Sequence, residues 1–257
     1  MIHSVKEIRM KHSIKKYFCD ALICFCGAMI LGCAQQHRVP EFKYAGYKAK
    51  CIYQESFTEP ANEWVSEGSG SVHVTTDPRL AIQPDSVDKG FVLWTKREFK
   101  GDFQIEYTID FPESSGVHLI FVCAQGAENK DLIHEMPKRN GILSEYTNEQ
   151  MENYYIACHT FQEDGSHIEK STIRKNPRRL LLSQTATDPC GDARKYLIDV
   201  IKIGGRILFF VDGLLIQDVM DKGGFGPVYD KGHLGFWFQG NQTIYIDGLS
   251  VYQLKPE

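Results

Sequence analysis

The chain has 257 residues, which is enough for one large all-β domain or two small domains. Hydrophobic residues make up 42% of it and charged residues 24%, which are ordinary values for a globular protein. The formal net charge of −4 argues against a general nucleic-acid binder, which would carry a basic surface, so we expect no nucleic-acid partner.

The first element along the chain is a secretory signal peptide, predicted over residues 1–33. Lys11, Lys15 and Lys16 precede an apolar run over residues 18–31, and this order of charged and apolar regions is typical of such signals. The apolar run has about 14 residues, which is too few to span a bilayer comfortably.

The signal ends in ILGCAQQ, where a small residue precedes Cys33 as in a bacterial lipobox. The Cys33 thiol would then carry the lipid, and residues 34–50 would form a polar tether. A plain signal peptide cleaved nearby is the alternative, because Leu31 lies where a smaller residue is commoner. No aspartate follows Cys33, so nothing indicates inner-membrane retention. We expect a lipid-anchored protein of the bacterial cell envelope, at the outer membrane, that contacts the membrane through its lipid alone.

From residue 51 to residue 257 apolar and polar residues alternate with the period of two that is typical of β-strands. The clearest example is DFQIEYTIDF, residues 102–111, in which every second residue is apolar. Similar runs occupy residues 116–124, 153–161, 179–184, 195–203, 206–212, 232–240 and 243–254. Glycine-rich turns separate these runs, so we predict one all-β domain built as a sandwich of two sheets.

Residues 126–150 are the least strand-like part of the domain. The segment is polar and contains Pro137 and Gly141, so we predict a long loop or a short helix. Long ordered loops over a rigid sandwich are where functional residues concentrate. Tyr146 in this segment is therefore a candidate substrate-binding residue.

Four cysteines remain after the signal and the lipidated residue, namely Cys51, Cys123, Cys158 and Cys190. In an oxidising envelope they permit two disulfides. Cys123 and Cys158 lie in apolar strand-like runs, however, where buried free thiols are at least as consistent with the sequence. The chain contains no CxxC pair, so we do not expect a zinc site.

The order of motifs in the second half of the domain is specific: NYY.A.H, then S..RKNP...LL, then VDG, then GHLGF and a last strand YIDGLSVY. Over residues 52–254 this pattern resembles the YesU-like family of bacterial concanavalin A-like (laminin-G-like) β-sandwich proteins. The resemblance implies a concanavalin A-like jelly roll of two antiparallel sheets, with a sugar lying across the concave face of one sheet, and a role in polysaccharide utilisation. In related members a glycine often follows the proline of RKNP, whereas this chain has Arg178 there.

The stretch STIRKNPRRLLLSQ, residues 171–184, concentrates positive charge in a mildly acidic chain. Arg174, Lys175 and Arg178 could hold the carboxylate of an acidic sugar, because guanidinium groups pair with carboxylates at two points. The side-chain amide of Asn176 could add a hydrogen bond. The alternative is a solvated loop whose charges pair with nearby acidic residues. The resemblance favours the binding role for Arg174, Lys175 and Asn176.

His159 and His118 lie in apolar strand-like runs and could face one cleft, where histidine can accept a proton near neutral pH. We assign a catalytic role to His159 and a substrate-binding role to His118. A hydrogen-bonded position in the core is the alternative for each. Tyr155 shares strand parity with His159 and is a second candidate base.

Trp237, in HLGFWFQG, lies on the more polar face of its strand. It is a candidate platform on which a pyranose ring could stack. Packing at the edge of the sandwich is the alternative.

Glycoside hydrolysis needs two facing carboxylates about 5–10 Å apart. Glu106 and Asp110 share a strand face but would lie roughly 13 Å apart, so Glu106 remains a substrate-binding candidate that could pair with Glu145. A structural calcium ion, held by Glu55 and Asp247, is the cofactor for which the sequence offers candidates.

These residues favour an enzyme that acts on an acidic, uronate-containing polysaccharide or oligosaccharide. A lyase fits them better than a hydrolase, because Arg174 or Lys175 could neutralise the uronate carboxylate while His159 or Tyr155 removes the C5 proton. A non-catalytic surface glycan binder is the first alternative. A structural envelope lipoprotein with no sugar ligand is the second.

Overall fold

The computed structural model describes residues 46–58 and 62–257. The predicted signal peptide, Cys33 and residues 34–45 of the predicted tether lie outside the described residues. The first strand begins at Tyr47, inside the segment predicted as a tether. The helices found among the described residues are all too short or too polar to cross a membrane.

Fifteen β-strands form within the described residues. In chain order they are β1 (Tyr47–Glu55), β2 (Trp64–Gly68), β3 (Gly70–Val74), β4 (Leu80–Pro84), β5 (Ser86–Lys100), β6 (Phe103–Asp110), β7 (Val117–Gly126), β8 (Met151–Thr160), β9 (Thr172–Asn176), β10 (Leu180–Gln184), β11 (Lys195–Ile203), β12 (Arg206–Val211), β13 (Leu214–Met220), β14 (Lys231–Gly240) and β15 (Ile244–Pro256).

The strands pair antiparallel in two sheets. The eight-stranded sheet has the order β13-β12-β11-β6-β15-β4-β3, and β1 also pairs with β15. The seven-stranded sheet has the order β10-β9-β8-β7-β14-β5-β2. The predicted all-β sandwich of two antiparallel sheets is confirmed.

The main core lies between the two sheets and is built from the alternating apolar residues. In β6 the apolar side chains of Phe103, Ile105, Tyr107 and Ile109 all face this core and are buried. Burying one large apolar side chain contributes about 1.5–3 kcal/mol, so the strand has a strong preference for this register. The pattern in DFQIEYTIDF therefore predicted the inward face of the strand correctly.

A second apolar cluster lies on the outer face of the seven-stranded sheet. It contains the outward residues of β5, β7, β8 and β14, including Trp94, Phe121, Tyr155 and Trp237. The segment 127–150, which we call the covering loop, packs on this face through Tyr146, whose ring lies 6.1 Å from those of Trp94 and Phe121. The loop contains two short 3₁₀ helices, Ala127–Asn129 and Leu143–Tyr146. This confirms the prediction of a long loop or short helix.

The four cysteines of the domain are free thiols. Cys51 is exposed, whereas Cys123, Cys158 and Cys190 are buried. Burial raises the pKa of Cys123 to about 12, which keeps its thiol protonated and unreactive near neutral pH. The structure therefore favours the free-thiol alternative over two disulfides.

Candidate functional site

Two clefts adjoin at the seven-stranded sheet: the smaller opens on its outer face beside Leu143 of the covering loop, and the larger lies at the end of the sheet where β7 begins and β14 ends. The smaller has a volume of about 250 Å³ and the larger about 690 Å³. Val117 and Gln239, at the ends of β7 and β14, border both clefts. The two volumes are therefore neighbouring parts of one surface.

The smaller cleft combines cations with apolar side chains. Arg174 of β9, Arg179 of the following turn and Lys170 line it, together with Tyr155 of β8. The Arg174 Nη1 donates to the carbonyl of Arg179 at 2.7 Å, and the Arg179 Nε donates to the Tyr155 hydroxyl at 3.0 Å. These hydrogen bonds hold two guanidinium groups at the cleft wall, where each keeps N–H donors for an anionic group.

The register of β8 and β9 explains why Arg174 reaches the cleft. Tyr155 lies opposite Arg174, and Tyr154 lies opposite Lys175. Successive side chains in a strand point to opposite faces, so Arg174 and Lys175 cannot face the same side. The structure places Arg174 outward with Tyr155, and Lys175 inward.

The candidate role of Lys175 in the cleft is contradicted by this placement. Its side chain is fully buried, and its Nζ donates to Asp221 at 2.7 Å and to the carbonyls of Gly226 and Pro227 at 3.0 and 2.8 Å. All three donors of the ammonium group are therefore satisfied inside the protein. Lys175 connects β9 to the segment after β13, and its ammonium group faces away from the cleft.

Asn176 also has an internal role. It is fully buried, and its Nδ2 donates to the Asn153 side chain at 2.7 Å while its Oδ1 accepts from the Arg179 backbone N–H at 3.0 Å. The Asn176–Pro177 peptide bond is cis. Through its hydrogen bond to the Arg179 N–H, Asn176 supports the turn that presents Arg179, and its own buried side chain does not line the cleft.

Arg178 points away from the cleft. Its Nε donates to Glu149 at 2.6 Å in an ion pair whose two side chains are largely exposed. Its φ of +76° lies in the left-handed region that favours glycine. The turn therefore has a conformation at this position that would suit a glycine, and the arginine side chain forms an exposed ion pair in place of the predicted substrate contact.

The two histidines lie inside the sandwich, which contradicts their assignment to the cleft. His159 is stacked on Phe111 at 3.7 Å, and its Nδ1 and Nε2 lie 2.7 and 3.0 Å from the carbonyl oxygens of Cys190 and Ser115. Burial lowers the pKa of His159, and it lowers the pKa of His118 to about 3. Both imidazoles are therefore neutral parts of the core, which was the alternative interpretation.

His118 shows why an apolar strand retains a histidine. Its Nε2 lies 3.1 Å from the hydroxyl of Tyr107, which is itself fully buried between the sheets. The imidazole ring also stacks on Phe238 with 4.6 Å between ring centres. The ring thus gives a buried hydroxyl a polar partner while it packs as an aromatic side chain.

Trp237 borders the smaller cleft but is not an exposed platform. Only 2% of its surface is accessible, and its Nε1 donates to the carbonyl of Gly141 at 2.9 Å. A Cβ at Gly90 would lie 2.2 Å from the indole, so Gly90 lets the ring lie flat against β5. The covering loop and β5 therefore bury most of the ring that was expected to stack on a sugar.

Tyr146 packs inside the covering loop and is not a cleft residue. It is fully buried, and its hydroxyl accepts a hydrogen bond from the Gly141 N–H at 3.2 Å. The guanidinium of Arg139 lies 5.4 Å from its ring. The aromatic ring stabilises the loop and takes no part in the predicted contact with substrate.

Glu106 lies on β6, in the eight-stranded sheet, where it is paired with Asp199 and Ser250 in register. Its neighbours in the strand face the main core, so Glu106 faces outward on the side of the molecule opposite the cleft. The structure therefore does not bring Glu106 to Glu145 or to the cationic residues, and Glu106 does not line this cleft.

The predicted calcium ligands lie on two paired strands. Glu55 of β1 lies opposite Leu249 of β15, two positions beyond Asp247. The Glu55 carboxylate accepts hydrogen bonds from the Phe57 N–H at 3.0 Å and from the Tyr53 hydroxyl at 3.3 Å. Among the described residues these two acidic side chains belong to no cluster of three potential metal ligands, whereas Glu98, Asp131 and His233 do.

The larger cleft has the opposite charge. Glu113, Glu163 and Asp164 line it, together with Asn241 and Gln239. The hydrogen bonds from Ser166 hold the pKa of the exposed Asp164 carboxyl below its usual value. A ligand that crosses both clefts would therefore meet cations at one end and carboxylates and amides at the other, which suits a polyhydroxylated molecule with a localised negative charge.

Sequence reasoning missed two cleft cations and the anchor of the covering loop. The two missed cations are Lys170 and Arg179, which line the smaller cleft. The alternation of side chains along β9 was the signal in the sequence that could have separated the outward Arg174 from the inward Lys175. The loop is anchored by Arg139, which donates to both oxygens of Glu67 at 2.8 and 2.7 Å. No local pattern connects these two residues, because they lie far apart in the chain.

Solved structures with this fold include proteins of several kinds. A protein of unknown function with a galectin-like fold from Bacillus subtilis is 23% identical to this chain, covers 82% of it and 100% of its own chain, and has a TM-score of 0.74. The exoplasmic/lumenal domain of VIP36, solved in a form bound to Ca²⁺ and Man3GlcNAc, is 14% identical, with 82% and 92% coverage and a TM-score of 0.57.

The κ-carrageenase of Pseudoalteromonas carrageenovora, solved with an oligotetrasaccharide of κ-carrageenan, is 10% identical, with 84% and 99% coverage and a TM-score of 0.55. At these identities the likeness shows the fold. A comparison with curated proteins found no match. The family model described as Domain of unknown function (DUF1961) matches residues 50–243, and the chain therefore belongs to the DUF1961 family.

Proposed function

We propose that the domain binds an anionic glycan in the smaller cleft on the outer face of the seven-stranded sheet. The observation that carries this proposal is the pair Arg174 and Arg179, which line the cleft beside Tyr155. Guanidinium groups at a cleft wall suit a carboxylate or sulfate, since each can donate two parallel hydrogen bonds to such a group.

The surroundings of the arginines suit a sugar ring. Leu119, Leu143 and Ala157 supply apolar surface in the same cleft, and Thr172 and Gln239 supply polar groups. The fold similarity adds support, because VIP36 was solved with an oligosaccharide and the carrageenase with a fragment of a polysaccharide. A uronate-containing oligosaccharide meets these requirements, with its carboxylate on the arginines and its hydroxyl groups towards the larger cleft.

A lyase is the second candidate function, and the hydrogen bond between Arg179 and the Tyr155 hydroxyl favours it. In β-elimination Arg174 would neutralise the uronate carboxylate. Tyr155, whose ring is buried but whose hydroxyl accepts from Arg179 at the cleft wall, would take the C5 proton. The C5–H electron pair would form the C4–C5 double bond as the C4–O bond breaks, and the leaving oxygen would take a proton from solvent. Arg179 would stabilise the charge on the tyrosine oxygen.

We also propose that the domain is exported and held at the cell envelope by lipid on Cys33. The support is the charged region, the apolar run and the ILGC motif of the sequence. A tethered glycan-binding domain would concentrate polysaccharide fragments at the cell surface.

Replacing Arg174 by alanine is expected to weaken binding of an oligogalacturonate about tenfold to a hundredfold, because one charge-assisted hydrogen-bonding group is lost. Arg178→Ala is the matched control, since Arg178 lies in the same turn but pairs with Glu149 outside the cleft. Calorimetric titration with the acidic oligosaccharide and with a neutral glucan fragment measures both effects. If both variants bind the acidic oligosaccharide as tightly as wild type does, Arg174 does not contribute to glycan binding and the proposal is contradicted.

The binder and the lyase differ in product. The wild-type chain is incubated with the same acidic polysaccharide, and ultraviolet absorbance of unsaturated ends is followed beside a reducing-sugar assay. Retention in an affinity gel without product supports binding alone. Unsaturated product that disappears in Tyr155→Phe, with retention in the gel preserved, supports the lyase.

A further inference from the structure

We propose that Glu98, Asp131 and His233 form a binding site for a divalent transition-metal ion, with Zn²⁺ as the best match. One ligand atom from each residue lies within 4.8 Å of the other two. The site is independent of the proposed glycan cleft, because His233 lies near the start of β14 and the cleft residue Gln239 lies near its end, roughly 20 Å away along the strand.

His233 is the strongest evidence for a ligand. Its side chain is fully buried, and its Nδ1 lies 2.7 Å from the Thr95 carbonyl oxygen, to which it donates. In a neutral ring this hydrogen bond places the lone pair on Nε2, and that atom is buried with no hydrogen-bond partner within the described residues. A metal-binding histidine usually donates its second ring N–H to a carbonyl or carboxylate, as His233 does. The unpartnered Nε2 can therefore act as a ligand to a cation.

The two carboxylates lie on the side to which Nε2 points. Glu98 of β5 is directly opposite His233 in the strand register, so both side chains leave the same face of the sheet. Asp131 comes from the covering loop, and its Oδ1 lies 3.8 Å from the His233 Nε2. Backbone N–H groups of Ile133 and His134 donate to this Oδ1 at 2.8 Å each, and the His134 Nδ1 lies 3.0 Å from the same oxygen, so these contacts fix the carboxylate in place.

The ligand set selects the class of metal. Zinc binds nitrogen and oxygen ligands at about 2.0–2.2 Å, so two ligand atoms of one ion lie at most about 4.4 Å apart. The exposed Glu98 side chain can close the small remaining distance by a change of rotamer. Calcium prefers six to eight oxygen ligands, whereas imidazole suits zinc and its neighbours among the transition metals. One imidazole and two carboxylates leave a fourth position for water.

The backbone around His233 is built to place this side chain. The pairing of β14 with β5 and with β7 shifts register between His233 and Gly235 on both sides. Cys123, in the bulge of β7, has a φ of +54°. Bulges of this kind re-aim side chains and are frequent beside functional sites. A bound ion would connect two strands of the sheet to the covering loop at Asp131.

The test uses the untagged full chain and Zn²⁺ alone in a calorimetric titration, with Ca²⁺ as the second probe. We expect one Zn²⁺ per chain, a rise in the thermal unfolding midpoint on adding Zn²⁺, and no competition from Ca²⁺. Glu98→Gln is expected to weaken Zn²⁺ binding by about tenfold or more, and its exposed position preserves the fold.

Glu128→Gln is the matched control, since Glu128 is an exposed carboxylate of the covering loop outside the cluster. It should bind Zn²⁺ like wild type. Zn²⁺ binding that is absent in wild type, or equally strong in Glu98→Gln, overturns the proposal. Asp131→Asn, which changes the ligand from the covering loop, is also expected to weaken Zn²⁺ binding. Loss of Zn²⁺ binding in Glu98→Gln with unchanged glycan affinity would show that the metal site and the glycan cleft are separate.

Discussion

Replacing Lys175 by methionine is expected to destabilise the fold by about 3–5 kcal/mol, because it leaves the Asp221 carboxylate buried without its cation. The two side chains are 0% and 2% exposed and 2.7 Å apart. Tyr154 also donates to Asp221, at 2.6 Å. Burial raises the pKa of Asp221, but the hydrogen bonds from Lys175 and Tyr154 outweigh it and hold that pKa below its usual value.

Urea unfolding at neutral pH measures the loss. Arg178→Met is the control, because the Arg178–Glu149 pair has a similar distance of 2.6 Å but is largely exposed, and exposed pairs contribute little. Adding Asp221→Asn to Lys175→Met should recover part of the stability, since the unpaired charge is then removed. A Lys175→Met variant as stable as wild type would show that the buried pair is not needed.

Replacing Arg139 by alanine is the second change with a large expected effect. The Arg139 and Glu67 side chains are 7% and 3% exposed, and the guanidinium donates to both carboxylate oxygens. Glu67 also accepts from the Trp94 indole at 3.1 Å. Loss of the arginine leaves a buried carboxylate without its cation, so we expect a loss of about 3–5 kcal/mol and detachment of the covering loop from β2.

Limited proteolysis and hydrogen exchange over residues 127–150 distinguish detachment of the loop from global unfolding. Lys138→Ala is the control, because Lys138 is the neighbouring exposed cation. We also expect weaker glycan binding in Arg139→Ala, because Leu143 of the covering loop lines the cleft. Unchanged exchange across the loop in Arg139→Ala would contradict the anchoring role.

The fold could be predicted from the sequence because the alternation of apolar and polar residues along a strand shows which side chains are buried. Every apolar residue of DFQIEYTIDF, from β6 to Phe111 just after it, lies in the main core as predicted. The same rule separates Arg174 from Lys175, because neighbouring residues of one strand face opposite sides. The basic stretch is therefore not one patch: Arg174 and Arg179 line the cleft, Lys175 forms a buried ion pair and Arg178 forms an exposed one.

The roles of the histidines could not be read from the sequence. His118 and His159 lie in apolar runs that predict burial, but their partners Tyr107 and Cys190 come from other strands and loops. The same is true of the Lys175–Asp221 pair and of the cluster at His233. Such contacts are fixed by the three-dimensional pairing of the strands, and one sequence carries no local signal for them.

The central claim is that an anionic glycan binds at Arg174 and Arg179 on the outer face of the seven-stranded sheet. A crystal structure of the chain with an oligogalacturonate tests it most directly. We expect a sugar carboxylate within hydrogen-bonding distance of both guanidinium groups, with the adjoining rings directed towards Gln239. An oligosaccharide bound on the eight-stranded sheet, or a cleft left empty at saturating ligand, would contradict the account.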